Sequence, residues 1–166
     1  MVKTLISLLF VVSIASPALA QVNVFLVRHA ERADTAGGAA PMMAADPSLS
    51  DAGRQRAESL AAVLKDAGIT AIYTTEFKRT QETAAPLAKT LGLTATTVPA
   101  KDMNGLADKL KAATANVLVV GHSNTVPEVL KALGISTPVK IDDGEYDNLF
   151  VVTTGAQPRM IRLHFR

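Results

Sequence analysis

The sequence predicts an α/β domain with three layers, in which a mostly parallel central sheet is flanked by helices. Short apolar runs, typical of buried strands, alternate with longer stretches whose apolar residues repeat every three or four positions, as in helices. Neither an internal repeat nor a linker of distinct composition interrupts this alternation. The chain has 166 residues, a length that favours a single core.

Six segments are predicted as strands because they are short and either apolar or rich in β-branched residues. In chain order they cover residues 22–27, 69–74, 93–98, 116–120, 148–153 and 160–165. Strands that alternate with helices favour parallel pairing. The last two have no helix between them, only a turn over residues 155–158, so an antiparallel pair at an edge of the sheet is expected.

Four segments are predicted as helices, and the residues at their ends support the assignments. Ser50 is a favourable N-cap, and Gly68 and Gly92 are favourable ends for the first two helices. Pro86 lies inside the second helix and predicts a kink or a break just before it. The four helices are expected over residues 50–67, 76–91, 103–113 and 123–134.

Residues 1–20 are interpreted as a signal peptide. Lys3 precedes a nearly continuous apolar run over residues 5–14, and Ala18-Leu19-Ala20 supplies the small-x-small pattern that signal peptidase reads. The run is short for a permanent membrane span, which needs roughly 20 apolar residues; an uncleaved anchor or a buried first strand is the alternative. The expected product is one exported domain over residues 21–166 without stable membrane insertion, periplasmic in a Gram-negative source and otherwise secreted.

Composition argues against several classes of protein. The chain has no run of basic residues and an aromatic content of 4%, which argues against nucleic acid as a partner. It contains no Cys, which excludes cysteine nucleophiles and thiolate metal sites. It also lacks a His-Glu-x-x-His motif, so neither a metal nor another cofactor is expected.

A long stretch over residues 33–48 is polar and rich in Ala, Gly and Pro. Loops of this length inside a compact domain are often functional lids, although a surface insertion fits equally well. Met42 and Met43 in this stretch either contact an apolar leaving group or pack against the core.

The residues that could carry chemistry follow the ends of predicted strands. Arg28 and His29 follow the first strand, Gly121 and His122 follow the strand at 116–120, and Arg79 lies near the start of the second helix. In an open α/β sheet, ligands bind outside the carboxyl ends of the strands. Arginine pairs bidentately with phosphate oxygens, helix N-termini favour anions, and a neutral imidazole can attack phosphorus. The pattern therefore predicts a site for a phosphoryl group.

Four segments, in this order, resemble the histidine phosphatase superfamily, which includes the cofactor-dependent phosphoglycerate mutases and many acid phosphatases. The first resembles the Arg-His-Gly signature, the second Leu-Thr-x-x-Gly-x-x-Gln-Ala, the third the segment that ends Arg-x-x-Gln-Thr-Ala, with one residue shifted, and the fourth the segment of the second histidine. They are Phe25-Leu26-Val27-Arg28-His29-Ala30-Glu31, Leu49-Ser50-Asp51-Ala52-Gly53-Arg54-Gln55-Arg56-Ala57, Tyr73-Thr74-Thr75-Glu76-Phe77-Lys78-Arg79-Thr80-Gln81-Glu82-Thr83-Ala84 and Val117-Leu118-Val119-Val120-Gly121-His122-Ser123.

The resemblance implies a phosphoglycerate mutase-like fold and a nucleophilic His29. It also implies that Arg28, Arg79 and His122 complete a phosphate pocket. Arg32 is similar in position to the second arginine of the Arg-His-Gly-x-Arg form of acid phosphatases, which makes it a further candidate for phosphate binding.

The resemblance leaves the general acid open. Ala30 replaces the usual Gly, and Ser123 follows the second histidine where larger acid phosphatases have Asp. Asp102 is the first candidate because it is expected in a loop near a strand end, and Glu31, two residues from the nucleophile, is the second. A third candidate is the carboxylate cluster of the tail, which comprises Asp142, Asp143 and Glu145.

The favoured function is a phosphomonoester hydrolase that forms a phosphohistidine on His29 and acts on an exported or envelope small-molecule phosphate, such as a sugar phosphate. A non-catalytic protein that binds phosphate ligands in the same pocket is the alternative. A serine hydrolase that uses Ser123 with His164 fits poorly, because the second Gly of the Gly-x-Ser-x-Gly elbow is missing. His164 alternates with apolar neighbours and is interpreted as structural or exposed.

Overall fold

The computed structural model describes residues 21–35 and 46–166, and over these residues it confirms the predicted fold class. Six strands form one sheet in the order β3-β2-β4-β1-β5-β6. Strands β1 to β4 are parallel, whereas β5 is antiparallel to β1 and β6 to β5, as expected for the tail. The strands are β1 (Asn23–Arg28), β2 (Ile69–Thr74), β3 (Thr96–Thr97), β4 (Asn116–Gly121), β5 (Asn148–Thr153) and β6 (Arg159–His164).

Helices cover both faces of the sheet and divide the core into two layers. Neighbouring residues of β1 point to opposite faces of the sheet. Leu26 packs in the core layer that contains α3 and α4, whereas Val27 packs in the layer that contains α1 and α2. The helices are α1 (Asp51–Leu64), α2 (Lys78–Leu91), α3 (Met103–Lys111) and α4 (Thr125–Ala132), and a short 3-10 helix covers Ala33–Thr35.

Some local predictions are wrong. Of the kink or break predicted before Pro86, the break does not occur, because α2 continues through the proline and is held on both sides: Ala84 before it and Leu87 after it are buried in the same core layer. The strand predicted over 93–98 is reduced to Thr96–Thr97. Its earlier residues Leu93 and Ala95 pack against the α1 and α2 layer and leave little chain to pair with β2.

Some of the predictions concern residues outside the described ranges. These are the signal peptide over 1–20 and the central part of the predicted loop, residues 36–45, with Met42 and Met43. Among the described residues, no helix combines the length and the apolar character that a membrane span needs.

The N-terminus of α1 is fixed to the segment that follows β1. Ser50 caps α1 by accepting a hydrogen bond from the Gly53 amide at 3.1 Å, and its own amide donates to the Glu31 carbonyl at 2.9 Å. Gly53 approaches the Glu31 carbonyl so closely that a Cβ atom would overlap its oxygen. The close approach brings α1 against the backbone two residues beyond His29.

Gly53→Ala is therefore expected to destabilise the fold. Overpacking typically costs about 1–3 kcal/mol, which exceeds the gain in helix propensity of about 1 kcal/mol for Ala over Gly. Urea unfolding of the variant measures the difference in the free energy of unfolding. Gln55→Ala, on the exposed side of α1, is the control and should change it little. A Gly53→Ala variant as stable as the parent would contradict the close packing.

Candidate active site

The carboxyl ends of β1, β4 and β2 bring two imidazoles together. His29 follows β1 directly and its amide donates to the Gly121 carbonyl at 2.9 Å, which extends the β1–β4 pairing by one residue. His122 follows β4, and the ring centroids of the two histidines are 5.3 Å apart with their planes at 64°. Both are buried, with 4% and 7% of their surface exposed. The sequence-predicted convergence of the strand ends is thus present.

His29 has a tautomer that suits a nucleophile. Its Nδ1 atom is 2.8 Å from the carbonyl oxygen of Ala30. Because a carbonyl can only accept, Nδ1 carries the hydrogen and donates it. The Nε2 atom of the neutral ring therefore holds the free lone pair.

Arg28 is held from two sides by the segment that precedes β5. Its Nη1 atom donates to the carbonyl oxygens of Asp142 and Asp143, at 2.8 and 3.0 Å, and more weakly to that of Glu145 at 3.3 Å. Its guanidinium carbon lies 4.2 Å from the centroid of the Tyr146 ring, a cation–π contact. This segment fixes the guanidinium next to the nucleophile.

Arg79 is the second residue of α2 and approaches the pair of imidazoles from the other side. Its guanidinium lies 4.3 Å from the centroid of the Phe77 ring, and its Nη2 atom is 3.5 Å from Nδ1 of His122. Asp46 accepts from the Lys78 amide at the N-terminus of α2 and lies 3.7 Å from Nη1 of Arg79. We call the cluster of His29, His122, Arg28 and Arg79 the histidine pocket.

The two guanidiniums of the histidine pocket keep unused donors. In the described part of the chain, the Nε atoms of Arg28 and Arg79 are buried and have no hydrogen-bond partner. Buried N–H groups are nearly always paired, so each donor requires an acceptor. Because these Nε atoms have almost no accessible surface, a phosphate bound in the histidine pocket would contact the guanidiniums through their Nη groups.

Burial keeps both imidazoles neutral at physiological pH. The pKa of His29 is lowered to about 3, mainly by burial and to a smaller extent by electrostatic repulsion from His122, Arg28 and Arg79, against the opposing effect of the bond to Ala30. Burial and then the charge of Arg79 lower the pKa of His122 to about 4. Burial and then the charge of Arg32 also lower the pKa of Arg79. The neutral form is the one in which a histidine is a nucleophile.

These pKa values make stability depend on pH. The folded-state values lie below the unfolded value of 6.5, so between about pH 3 and 6.5 the unfolded chain binds more protons. The contribution of each imidazole is fully present above pH 6.5 and is lost as the pH falls towards 3, by on the order of 1.4 kcal/mol per pH unit. In urea unfolding at a series of pH values, the free energy of unfolding of His122→Gln should depend less steeply on pH than that of the parent. An unchanged dependence on pH would contradict the lowered pKa of His122.

The other predicted site residues are engaged in separate contacts. Arg32 forms an ion pair with Asp34 at 2.9 Å. Glu31 accepts from Arg56 at three distances between 2.7 and 3.0 Å, and Arg56 also donates to the Phe165 carbonyl. The charge of Arg32 also lowers the pKa of Arg79, so Arg32 lies near the histidine pocket, whereas Glu31 is held by Arg56.

The remaining candidate acids are exposed. Asp102 caps α3 by accepting from the Gly105 amide at 3.0 Å. Asp142 and Asp143 contribute their carbonyl groups to Arg28, whereas their side chains are exposed. Glu145 pairs with Arg162 at 3.1 Å. The role of general acid therefore remains a sequence prediction for these residues.

The serine hydrolase alternative has no support in the topology. Ser123 follows β4, whereas His164 ends β6, and β1 and β5 lie between these strands in the sheet. The Nδ1 atom of His164, an exposed residue, is 3.1 Å from a carboxylate oxygen of Asp147. The two side chains proposed for that chemistry are not brought together.

Four contacts around the histidine pocket were not predicted as functional from the sequence. Thr75 and Phe77 contact His122, Tyr146 contacts Arg28, and Asp46 contacts Arg79. A weak signal was available for Thr75 and Phe77, which lie inside a matched segment. Tyr146 is one of only two tyrosines in the chain, but nothing in its neighbourhood pointed to Arg28. Within the described ranges, no group of three or more potential metal ligands is found.

Residues 24–107 match the family model of the histidine phosphatase superfamily, branch 1. The chain belongs to the histidine phosphatase superfamily. This membership confirms the family that the motifs resemble and the class of enzyme, a histidine phosphatase. The matched range contains Arg28, His29 and Arg79, and it ends before His122. No curated protein matches the chain significantly.

Solved structures of other histidine phosphatases share the fold. The protein histidine phosphatase SixA complexed with tungstate has a TM-score of 0.69 and 20% identity, covering 86% of this chain and 96% of that one. The α-ribazole phosphatase from Shigella flexneri has a TM-score of 0.69 and 15% identity over the same shares. A mycobacterial glucosyl-3-phosphoglycerate phosphatase complexed with VO3 has a TM-score of 0.66 and 15% identity, covering 84% and 96%. At these identities the likeness concerns the fold alone.

Proposed function

We propose that this histidine phosphatase hydrolyses small phosphomonoesters through a phosphohistidine intermediate on His29. The observation that carries the proposal is the bond from Nδ1 of His29 to the Ala30 carbonyl, which leaves the Nε2 lone pair free. That lone pair belongs to a buried neutral ring with Arg28 next to it in sequence and Arg79 and His122 beside it in space. A nucleophile and fixed cations are the main requirements of phosphoryl transfer.

The reaction proceeds in two balanced steps. The Nε2 atom of His29 attacks phosphorus, the bond from phosphorus to the ester oxygen breaks, and the leaving oxygen takes a proton from solvent water. Water then attacks the phosphohistidine, the bond between phosphorus and nitrogen breaks, and inorganic phosphate leaves. The donors of Arg28 and Arg79 neutralise the phosphoryl oxygens in both steps.

The candidate acids suggest which leaving groups suit this enzyme. Glu31 accepts from Arg56 at both carboxylate oxygens, so its side chain is already engaged in a separate ion pair. Asp102 is exposed and accepts from the Gly105 amide. We therefore expect esters with stable leaving groups, such as aryl phosphates, to react faster than alkyl phosphates.

We also propose that the natural substrate is an exported or envelope phosphomonoester, such as a sugar phosphate. The signal-peptide pattern over residues 1–20 supports the location. The similar structures are those of a protein histidine phosphatase, an α-ribazole phosphatase and a glucosyl-3-phosphoglycerate phosphatase, so the shared fold does not select one substrate. N-terminal sequencing of the exported protein tests the location, with Gln21 as the expected first residue.

The direct test of the function is a panel of phosphomonoesters assayed with a metal chelator present. Turnover is expected, together with a base-stable, acid-labile phosphoryl group that peptide mass spectrometry places on His29. Binding of tungstate or vanadate without turnover of an aryl phosphate would instead favour the alternative, a non-catalytic protein that binds phosphate ligands. The engaged carboxylates are the observation that keeps this alternative open.

A further inference from the structure

A chain of hydroxyl groups leads away from the second histidine of the pocket. Thr75 follows β2 and Thr80 lies in the first turn of α2, and both are buried, with 3% and 0% exposed. The Oγ1 atom of Thr75 is 2.9 Å from Nε2 of His122 and 3.0 Å from Oγ1 of Thr80. The Thr80 hydroxyl reaches the Phe77 carbonyl at 2.7 Å. These three contacts connect the imidazole to a backbone acceptor.

The series of hydrogen bonds ends at the Phe77 carbonyl, and this acceptor determines the direction of the others. A carbonyl can only accept, so the short contact to Phe77 uses the single hydroxyl proton of Thr80. Thr80 must then accept from the hydroxyl of Thr75. Thr75 has no second proton, so it accepts from Nε2–H of His122.

The contact on the other side of the ring gives the same direction independently. The Nη2 atom of Arg79 is 3.5 Å from Nδ1 of His122. A guanidinium can only donate, so it favours a lone pair on Nδ1 and a hydrogen on Nε2. In the reverse tautomer, two N–H groups would face each other at this position.

We propose that Thr75 is a positioning residue that fixes the Nε2–H tautomer of His122 and so leaves its Nδ1 atom, beside Arg79, as the position that takes up a proton. The proposal rests on the proposed function for its catalytic meaning, although the tautomer itself does not depend on turnover. A proton taken up at Nδ1 gives an imidazolium whose Nε2–H still donates to Thr75. The ring can therefore gain or lose this proton without rotating.

Nitrogen NMR of the imidazoles tests the tautomer directly. The chain has only three histidines, so the spectrum of the uniformly ¹⁵N-labelled protein is simple to assign with single-residue variants. Near neutral pH, and without phosphate in the buffer, His122 is expected as the Nε2–H tautomer and His29 as the Nδ1–H tautomer. Finding His122 as the Nδ1–H tautomer in the parent protein would overturn the proposal.

Variants of Thr75 separate positioning from simple packing. Thr75→Val keeps the shape but removes the acceptor, so the signals of His122 should move towards a mixture of tautomers while those of His29 stay unchanged. Thr75→Ser should restore the fixed tautomer. Thr90→Val is the control, because Thr90 donates to the Pro86 carbonyl on the exposed side of α2. A fixed Nε2–H tautomer in Thr75→Val would contradict the role of Thr75.

The same variants connect the tautomer to turnover. Thr75→Val should lower kcat about tenfold to a hundredfold with little change in KM, the range found for partners that orient metal-ligating histidines. Thr75→Ser should recover most of the loss. If Thr75→Val changes the tautomer but not kcat, the catalytic part of the proposal fails. If the parent enzyme has no turnover, the proposed function fails while the NMR result still decides the tautomer.

Discussion

His29→Ala is expected to lower kcat/KM for an aryl phosphate by about a thousandfold or more, because no other group in the described structure duplicates its nucleophile. Loss of a covalent nucleophile commonly costs several orders of magnitude, since the remaining donors still bind the substrate but cannot form the intermediate. The measurement is steady-state kinetics together with the trapped phosphoryl group, which should disappear from this variant.

The matched control for this change is His164→Ala, because His164 is exposed at the end of β6 and its Nδ1 atom is 3.1 Å from a carboxylate oxygen of Asp147. Its kinetics should remain close to those of the parent. His29→Asn serves as a second variant, since it keeps a buried polar group and tests whether loss of folding explains the effect. Near-parental turnover in folded His29→Ala would rule out the proposed mechanism.

Arg79→Ala is expected to lower kcat/KM by roughly a hundredfold to a thousandfold, the usual effect of removing one preorganised donor from developing charge. Its guanidinium lies 4.3 Å from the centroid of the Phe77 ring, so its donors are oriented before the substrate binds. Arg79→Lys should recover only part of the loss, because an ammonium keeps the charge but not the planar fork.

Binding measurements show whether Arg79 also contributes to binding an oxyanion, separately from its effect on turnover. Tungstate affinity, measured by calorimetry, should fall in Arg79→Ala and remain unchanged in Arg159→Ala, an exposed residue at the start of β6. If Arg79→Ala weakens neither tungstate binding nor turnover, Arg79 does not contact the phosphoryl group.

Much of the fold could be predicted because burial leaves a periodic pattern in the sequence. Strands such as β4 are buried on both faces and show as continuous apolar runs, and α1 shows an apolar stripe after the capping Ser50. The predicted end at Gly68 is wrong, because α1 ends at Leu64 with Lys65 as its C-cap. The site was predictable for a related reason: its main residues lie directly after strands or at the start of a helix. The errors at Pro86 and β3 arose where packing between elements outweighs local preference.

The contacts that orient the site were not predictable in the same way. The stacking of Tyr146 on Arg28 and the hydroxyl contacts of Thr75 depend on side-chain directions that a linear pattern does not contain. The ion pair of Glu31 likewise depends on Arg56, which is 25 residues away and adjacent only in the folded chain. A carboxylate near the nucleophile in sequence is therefore a weak indication of a general acid.

The hydrogen bonds that hold Arg28 also determine when, during synthesis, the site can be completed. The guanidinium and the carbonyl of Asp142 that fixes it are separated by 114 residues, and the intervening chain contributes His122. Synthesis releases a chain from its N-terminus, so the nucleophile would emerge first and the carbonyls that hold Arg28 last. Closing so long a loop is entropically unfavourable until β5 pairs with β1. A partly synthesised chain would therefore carry His29 without the pocket, and catalytic competence would begin only after β5 has left the ribosome.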